Sequence, residues 1–183
     1  MSVLPPLLLL ASLLAIAETT LAQRYRVATS QVSFFSEAPM EDIEAHTQQA
    51  TGLFDAASSE IAFVVPIRSF QFEKSLMQEH FNENYLESEK YPNATFEGKL
   101  DGFQAESKGK QTVTARGKFT IHGVTRDVEI PGEVFRDKDT WQMKAMFPVK
   151  LEEYKIRIPK VVFYNIAETV EVNVQFTYQL DEI

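Results

Sequence analysis

The chain has 183 residues, a formal net charge of −8 with neutral histidines, 44% hydrophobic and 24% charged residues, and no cysteine. That length suffices for one domain with a real core. An acidic balance without a basic run argues against binding nucleic acid or anionic lipid surfaces, which need clustered Lys and Arg. The missing cysteine removes disulfides, thiolate metal sites and cysteine nucleophiles.

The N-terminus carries a short apolar run, Leu7 to Ala17, ended by Glu18. It falls short of the ~20 residues that span a bilayer. Thr20-Leu21-Ala22 fits a signal-peptidase site ahead of Gln23, although Met1 to Pro6 lack any Lys or Arg. Residues 1–22 are therefore expected to be a cleaved secretory signal and residues 23–183 the mature domain. That implies a periplasmic or secreted protein with no membrane span after cleavage; the alternatives are an uncleaved anchor or a mispredicted start.

Beyond it the pattern alternates with period 2, the mark of half-buried strands. Tyr25–Ala28 and Val32–Ser36 read as two short strands, and Ile43–Phe54 as a polar, weakly alternating one. Glu60–Ile67 is apolar on both faces. Glu73–Leu86 breaks the alternation and reads as a helix, with Met77, Phe81 and Tyr85 on one stripe; Pro92 ends it. Ala94, Phe96, Gly98 and Leu100 then alternate with polar residues.

Val113 to Ile130 reads as one long β-hairpin. Taking His122-Gly123 as a two-residue turn, with Gly supplying the positive φ such turns demand, sets the pairing. Ile121 faces Val124, Thr120 faces Thr125, Phe119 faces Arg126, Lys118 faces Asp127, Gly117 faces Val128, Arg116 faces Glu129 and Ala115 faces Ile130. One face is mostly apolar and the other pairs Thr with Thr and cations with carboxylates; a one-residue slip would scramble both. Arg126 is the exception on the apolar face.

Trp141, Met143, Ala145, Phe147 and Val149 form the next apolar face. Leu151–Ala167 reads as a loop with a short helix near Val161–Tyr164. Val170, Val172, Val174, Phe176, Tyr178 and Leu180 line the last strand. About eight such strands must bury one face each, and one helix cannot cover them. The expected fold is all-β: an extended antiparallel β-barrel, lipocalin-like, capped by one or two short helices. Its expected apolar lining is Phe96, Val113, Phe119, Ile121, Val128, Trp141, Met143, Phe147, Val174 and Phe176.

Two stretches carry a family resemblance. Tyr85-Leu-Glu-Ser-Glu-Lys-Tyr-Pro-Asn-Ala-Thr-Phe96 is similar to the Y-L-(D/E)-x-x-(K/R)-(Y/F)-P-x-A-x-F signature of the YceI-like family. Gly117-Lys-Phe-Thr-Ile-His-Gly-Val-Thr-Arg126 resembles that family's G-x-L-T-(I/L)-H-G-V-T-(K/R) hairpin. The resemblance spans nearly all of residues 24–180. It implies an extended lipocalin-like barrel, often secreted or periplasmic, whose characterised members hold a polyisoprenoid chain. The chain departs from the family at Glu44-Ala-His-Thr-Gln-Gln-Ala-Thr51, where an apolar strand is usual, so the packing of that part of the wall is open.

For chemistry, Arg126 has two readings: a contact to the polar head of a bound lipid, or a stem laid on Phe119 that snorkels to water. His122 is foremost a turn residue. His46 and His80 have no partner at metal-ligand spacing, and Glu44 with His46 on one strand face does not make a site. No metal or cofactor is expected. The carboxylates, including Glu152, Glu153, Glu171, Asp181 and Glu182, define no cleft for acid–base catalysis. Met77, Phe81 and Tyr85 are either core or a lid over the barrel mouth. The resulting expectation is non-catalytic binding and transport of a long isoprenoid lipid, polyisoprenoid or isoprenoid quinone, with a second copy of the chain as a candidate partner. The rivals are an envelope interaction protein with a packed barrel and an enzyme acting on a hydrophobic substrate.

Overall fold

The computed structural model describes residues 23–37, 42–158 and 167–181. It contains ten strands: β1 (Arg24–Ser36), β2 (Ile43–Thr47), β3 (Thr51–Asp55), β4 (Glu60–Pro66), β5 (Gln71–Phe72), β6 (Asn93–Asp101), β7 (Gln111–Ile121), β8 (Val124–Asp137), β9 (Thr140–Lys150) and β10 (Thr169–Leu180). Helix α1 spans Ser75–His80. All pairings are antiparallel, and β10 pairs with β1. Eight strands thus close a barrel in the order β1-β3-β4-β6-β7-β8-β9-β10, while β2 and β5 extend from β1 as two extra strands. Closure leaves the eight wall strands without free edges.

The hairpin register read from the sequence is the observed one, from Ile121 opposite Val124 to Ala115 opposite Ile130. Thr120 and Thr125 share a hydroxyl hydrogen bond of 2.8 Å, and Lys118 meets Asp127 at 3.0 Å. His122 (φ 52°) and Gly123 (φ 70°) both adopt the positive φ of a two-residue hairpin turn. Deeper in the wall, Gly98 pairs with Gly117. A Cβ on Gly98 would stand 2.2 Å from the Arg116 carbonyl oxygen, so only glycine lets these two backbones approach so closely.

Three elements differ from their expected form. The two opening strands are one strand, β1, with a register shift between Val27 and Thr29 that marks a bulge. The polar Ile43–Phe54 segment is two strands instead of one. Its break follows from local hydroxyl chemistry: Gln49 N donates to Thr47 Oγ1 at 3.1 Å, and Ala50 N donates to Ser30 Oγ at 3.1 Å. As a result β1 has two partners on one edge, β3 along Arg24–Arg26 and β2 along Val32–Ser36. The expected helix Glu73–Leu86 is shorter: α1 passes into a π-turn over Phe81–Tyr85, closed by Leu86 N donating to Phe81 O at 2.9 Å. The short helix expected near Val161–Tyr164 lies outside the described residues, as does the expected signal, residues 1–22. Among the described residues no helix is long and apolar enough to cross a membrane.

The barrel's two ends differ. Strands β1, β4, β7 and β9 start at one end and finish at the other, with the remaining wall strands running back. At the first end Tyr25, Phe54, Phe103, Trp141 and Tyr178 pack as an aromatic cluster, Phe54 lying 5.1 Å from Phe103 and Trp141 5.0 Å from Phe103, both edge-on. Tyr25 and Tyr178 complete it around Phe54. The opposite end is hollow.

Candidate functional site

A cavity of about 210 Å³ occupies the hollow end. Its walls come from the ends of β1, β4, β7 and β9, the starts of β6 and β10, and the α1 segment folded across them. The composition follows from strand alternation: Val170, Val172 and Val174 on β10, and Phe147 and Val149 on β9, are inward positions two residues apart. Of the 25 described residues lining it, only Ser33, Ser36, His80 and Tyr85 carry polar side-chain atoms. The Ser36 hydroxyl is already engaged, accepting from Ala167 N at 3.0 Å. Burial raises the Tyr85 phenol above its ordinary pKa, as expected of a hydroxyl held against an apolar wall.

Met77, Phe81 and Tyr85, read from the sequence as either core or a lid, all line this cavity. Phe81 anchors them: it stacks on Phe34 at 5.4 Å and packs against Phe70 at 5.7 Å and Phe72 at 5.0 Å. Offset and edge-on ring pairs of this kind contribute about 0.5–1.5 kcal/mol each beyond their buried area. Phe34, Phe70 and Phe72 were not among the expected lining residues. Phe70 immediately precedes the two-residue strand β5, which contains Phe72, and so short a strand gives no period long enough to register; the alternation of Phe70-Gln71-Phe72 was the available signal. His80, expected to be isolated, faces the same cavity from the end of α1.

Of the expected barrel lining, Phe119, Ile121, Phe147 and Val174 face this cavity. Phe96, Val113, Met143 and Phe176 face a second void of about 50 Å³ nearer mid-barrel, which Phe147 and Val174 also touch. Val128 is half-buried against the core and borders neither space. Trp141 is 1% exposed and belongs to the aromatic cluster at the closed end.

Arg126 pairs with Phe119 in register but turns out of the barrel. Its side chain is 47% exposed, and its Nε donates to the Glu153 carbonyl at 2.9 Å. It lies near Tyr154, whose phenol burial holds above its ordinary pKa and the guanidinium draws partly back.

His122 does more than make a turn. The ring is buried and lies 4.6 Å from the Tyr91 ring, edge-on. Its Nδ1 donates to the Tyr154 carbonyl at 3.1 Å, and its Nε2 shares a 2.8 Å hydrogen bond with Glu87 Oε2. Both partners adjoin the cavity wall: Leu86 precedes Glu87, and Leu151 and Ile156 flank Tyr154. The hairpin tip therefore clamps the segment after the π-turn to the segment after β9. Glu87 itself takes a positive φ of 44° to reach this position. The sequence placed His122 at the turn but offered no sign of these long-range partners.

Among the described residues no three His, Asp or Glu side chains gather as a metal site. Glu44 and His46 share the outer face of β2, exposed. The Tyr178 hydroxyl and Trp141 Nε1 are buried without a hydrogen-bond partner, and burial pushes the Tyr178 phenol far above its ordinary pKa.

No curated protein sequence matches the chain. Among solved structures it is similar to a polyisoprenoid binding domain from Saccharophagus degradans implicated in plant cell wall breakdown, with a TM-score of 0.74 and 16% identity over 86% of this chain and 98% of that one. Burkholderia cenocepacia BcnA follows at TM-score 0.66 and 22% identity, covering 81% and 95% of the two chains. A Campylobacter jejuni YCEI protein gives 0.61 and 19%, covering 80% and 90%. At these identities the likeness shows the fold. The YceI-like domain matches residues 24–178, which include both the Glu87 segment and the His122 hairpin, and the chain belongs to the YceI-like family.

Proposed function

We propose that this protein is a non-catalytic carrier that binds the isoprenoid tail of a lipid in the hollow end of its barrel. The observation that carries the reading is the cavity wall: 25 described residues, four of them with polar side-chain atoms and none a carboxylate. Such a surface offers burial and little else. Each CH₂ withdrawn from water contributes about 0.8 kcal/mol, so ten of them supply up to roughly 8 kcal/mol before the entropic costs of association. The polyisoprenoid-binding neighbour from Saccharophagus degradans supports the ligand class. The acidic exterior suits a carrier that stays soluble beside membranes.

The test is occupancy. The purified protein is extracted with organic solvent, the extract analysed by mass spectrometry, and the stripped protein offered prenyl alcohols. A co-extracted isoprenoid lipid, or saturable uptake, is the expected result; a clean extract together with no uptake would favour a packed-barrel interaction protein. We also read residues 1–22 as an export signal, and N-terminal sequencing of the exported protein should begin at Gln23.

A further inference from the structure

The interior of the barrel is layered, and three strands step through the layers in the same order. On β4, Val65 faces the large cavity alone, Phe63 faces both spaces, and Ile61 faces the small void alone. On β9 the sequence is Val149, Phe147, Met143; on β10 it is Val172, Val174, Phe176. One layer, Phe63 with Phe147 and Val174, thus separates the two spaces. Within that layer Phe63 is the ring braced from below. It stacks on Phe96 at 5.3 Å and 18° and meets Phe176 at 5.2 Å, and both of those rings line the small void and not the large cavity. Phe147 instead leans edge-on at 6.0 Å against Phe119, which faces the large cavity.

From this we infer that Phe63 is the floor of the ligand cavity and sets how much of an apolar tail the barrel encloses. The inference rests on the lipid-binding reading above and adds a specificity to it. The large cavity, at about 210 Å³, exceeds by a modest factor the roughly 150 Å³ that encloses a benzene ring in a dry apolar site. It therefore encloses about two isoprene units above the floor, and further units of a longer tail stay outside. Removing the Phe63 ring joins the large cavity to the void below, where Phe96 and Phe176 form the next stop.

The experiment compares geraniol, farnesol and geranylgeraniol, with two, three and four isoprene units, as ligands for the stripped full chain and its Phe63→Ala variant. For the wild type, affinity should rise less than about threefold from geraniol to farnesol, because the third unit gains little burial. Phe63→Ala should bind farnesol about tenfold or more tighter than the wild type does, with geraniol changed by less than about threefold. Phe63→Leu keeps an apolar side chain in the layer and should move farnesol in the same direction by a smaller factor; it carries the test if the alanine variant does not fold. Identical length profiles in wild type and variants would overturn the floor while leaving lipid binding intact. A folded wild type that binds none of the three alcohols would overturn lipid binding itself, and the floor with it.

Discussion

The two ends of this barrel are built from the same strands and the same alternation, yet one is filled and the other is open. At the closed end, inward positions hold Tyr25, Phe54, Trp141 and Tyr178, joined by Phe103 from the loop after β6. At the hollow end the matching positions on β9 and β10 hold Val149, Val170 and Val172; the rings there are Phe34, Phe63, Phe119 and Phe147 on wall strands, with Phe70, Phe72, Phe81 and Tyr85 from the segment after β4. The filled end holds its large rings on the barrel strands themselves. The open end sets branched aliphatic side chains among its wall rings and takes further rings from the segment after β4, which leaves its centre unfilled. Side-chain volume along one strand, more than topology, decides where such a barrel is core and where it is container.

The comparison can be broken at its strongest point first. Trp141→Ala should lower unfolding stability by about 3–5 kcal/mol in chemical denaturation, since it empties a fully buried site. Val172→Ala, which enlarges a space already present, should fall well below that range, since the neighbouring wall already faces a cavity. Equal losses at the two positions would mean that the hollow end is as tightly packed as the closed one. Next in size, His122→Ala removes two hydrogen bonds at a buried ring and should cost about 1–3 kcal/mol. Its signature is faster amide exchange confined to residues near Glu87 and Tyr154, with the closed end unchanged.

A pH experiment sharpens the same contrast. Tyr178 has its pKa raised above the ordinary 10.0 by burial. The unfolded chain ionises there while the folded one does not, so stability is intact below about pH 10 and falls as pH rises further, by up to about 1.4 kcal/mol per unit for this group. Tyr178→Phe should remove that contribution from the alkaline slope measured by urea midpoint. At neutral pH it should leave stability unchanged or higher, because the hydroxyl gives up no hydrogen bond to the protein. The smallest effect is expected for Arg126→Leu: below about 1 kcal/mol in stability, with equal co-extracted lipid, because its exposed side chain serves Glu153. Lipid loss without a stability change would assign the guanidinium to the ligand's head.

Local pattern was readable wherever one rule governed a segment. The β7–β8 register followed from a turn glycine and paired side chains, and the closed barrel followed from strand amphipathicity. The stripe of Met77, Phe81 and Tyr85 was visible from helical spacing even though the helix itself changes to a π-turn midway. What escaped was set by contacts distant in sequence. That Trp141 plugs one end while Phe147, six residues on, faces the cavity depends on which rings arrive from β1, β3 and the loop at Phe103. The split of Ile43–Phe54 depends on hydroxyls at Thr47 and Ser30 capturing backbone N–H groups that would otherwise continue a strand. The partners of His122 lie 32 and 35 residues away.

The His122–Glu87 contact bears on how the family's two signature stretches should be understood. They look like separate words in the sequence, yet one 2.8 Å hydrogen bond makes them a single lock. Part of any change at one position should then be felt through the other. In a double-mutant cycle, Glu87→Gln and His122→Gln should fall short of additivity, the second substitution doing much less damage once the first is made. The two stretches, far apart along the chain, therefore act on stability as one coupled pair and not as two independent sites.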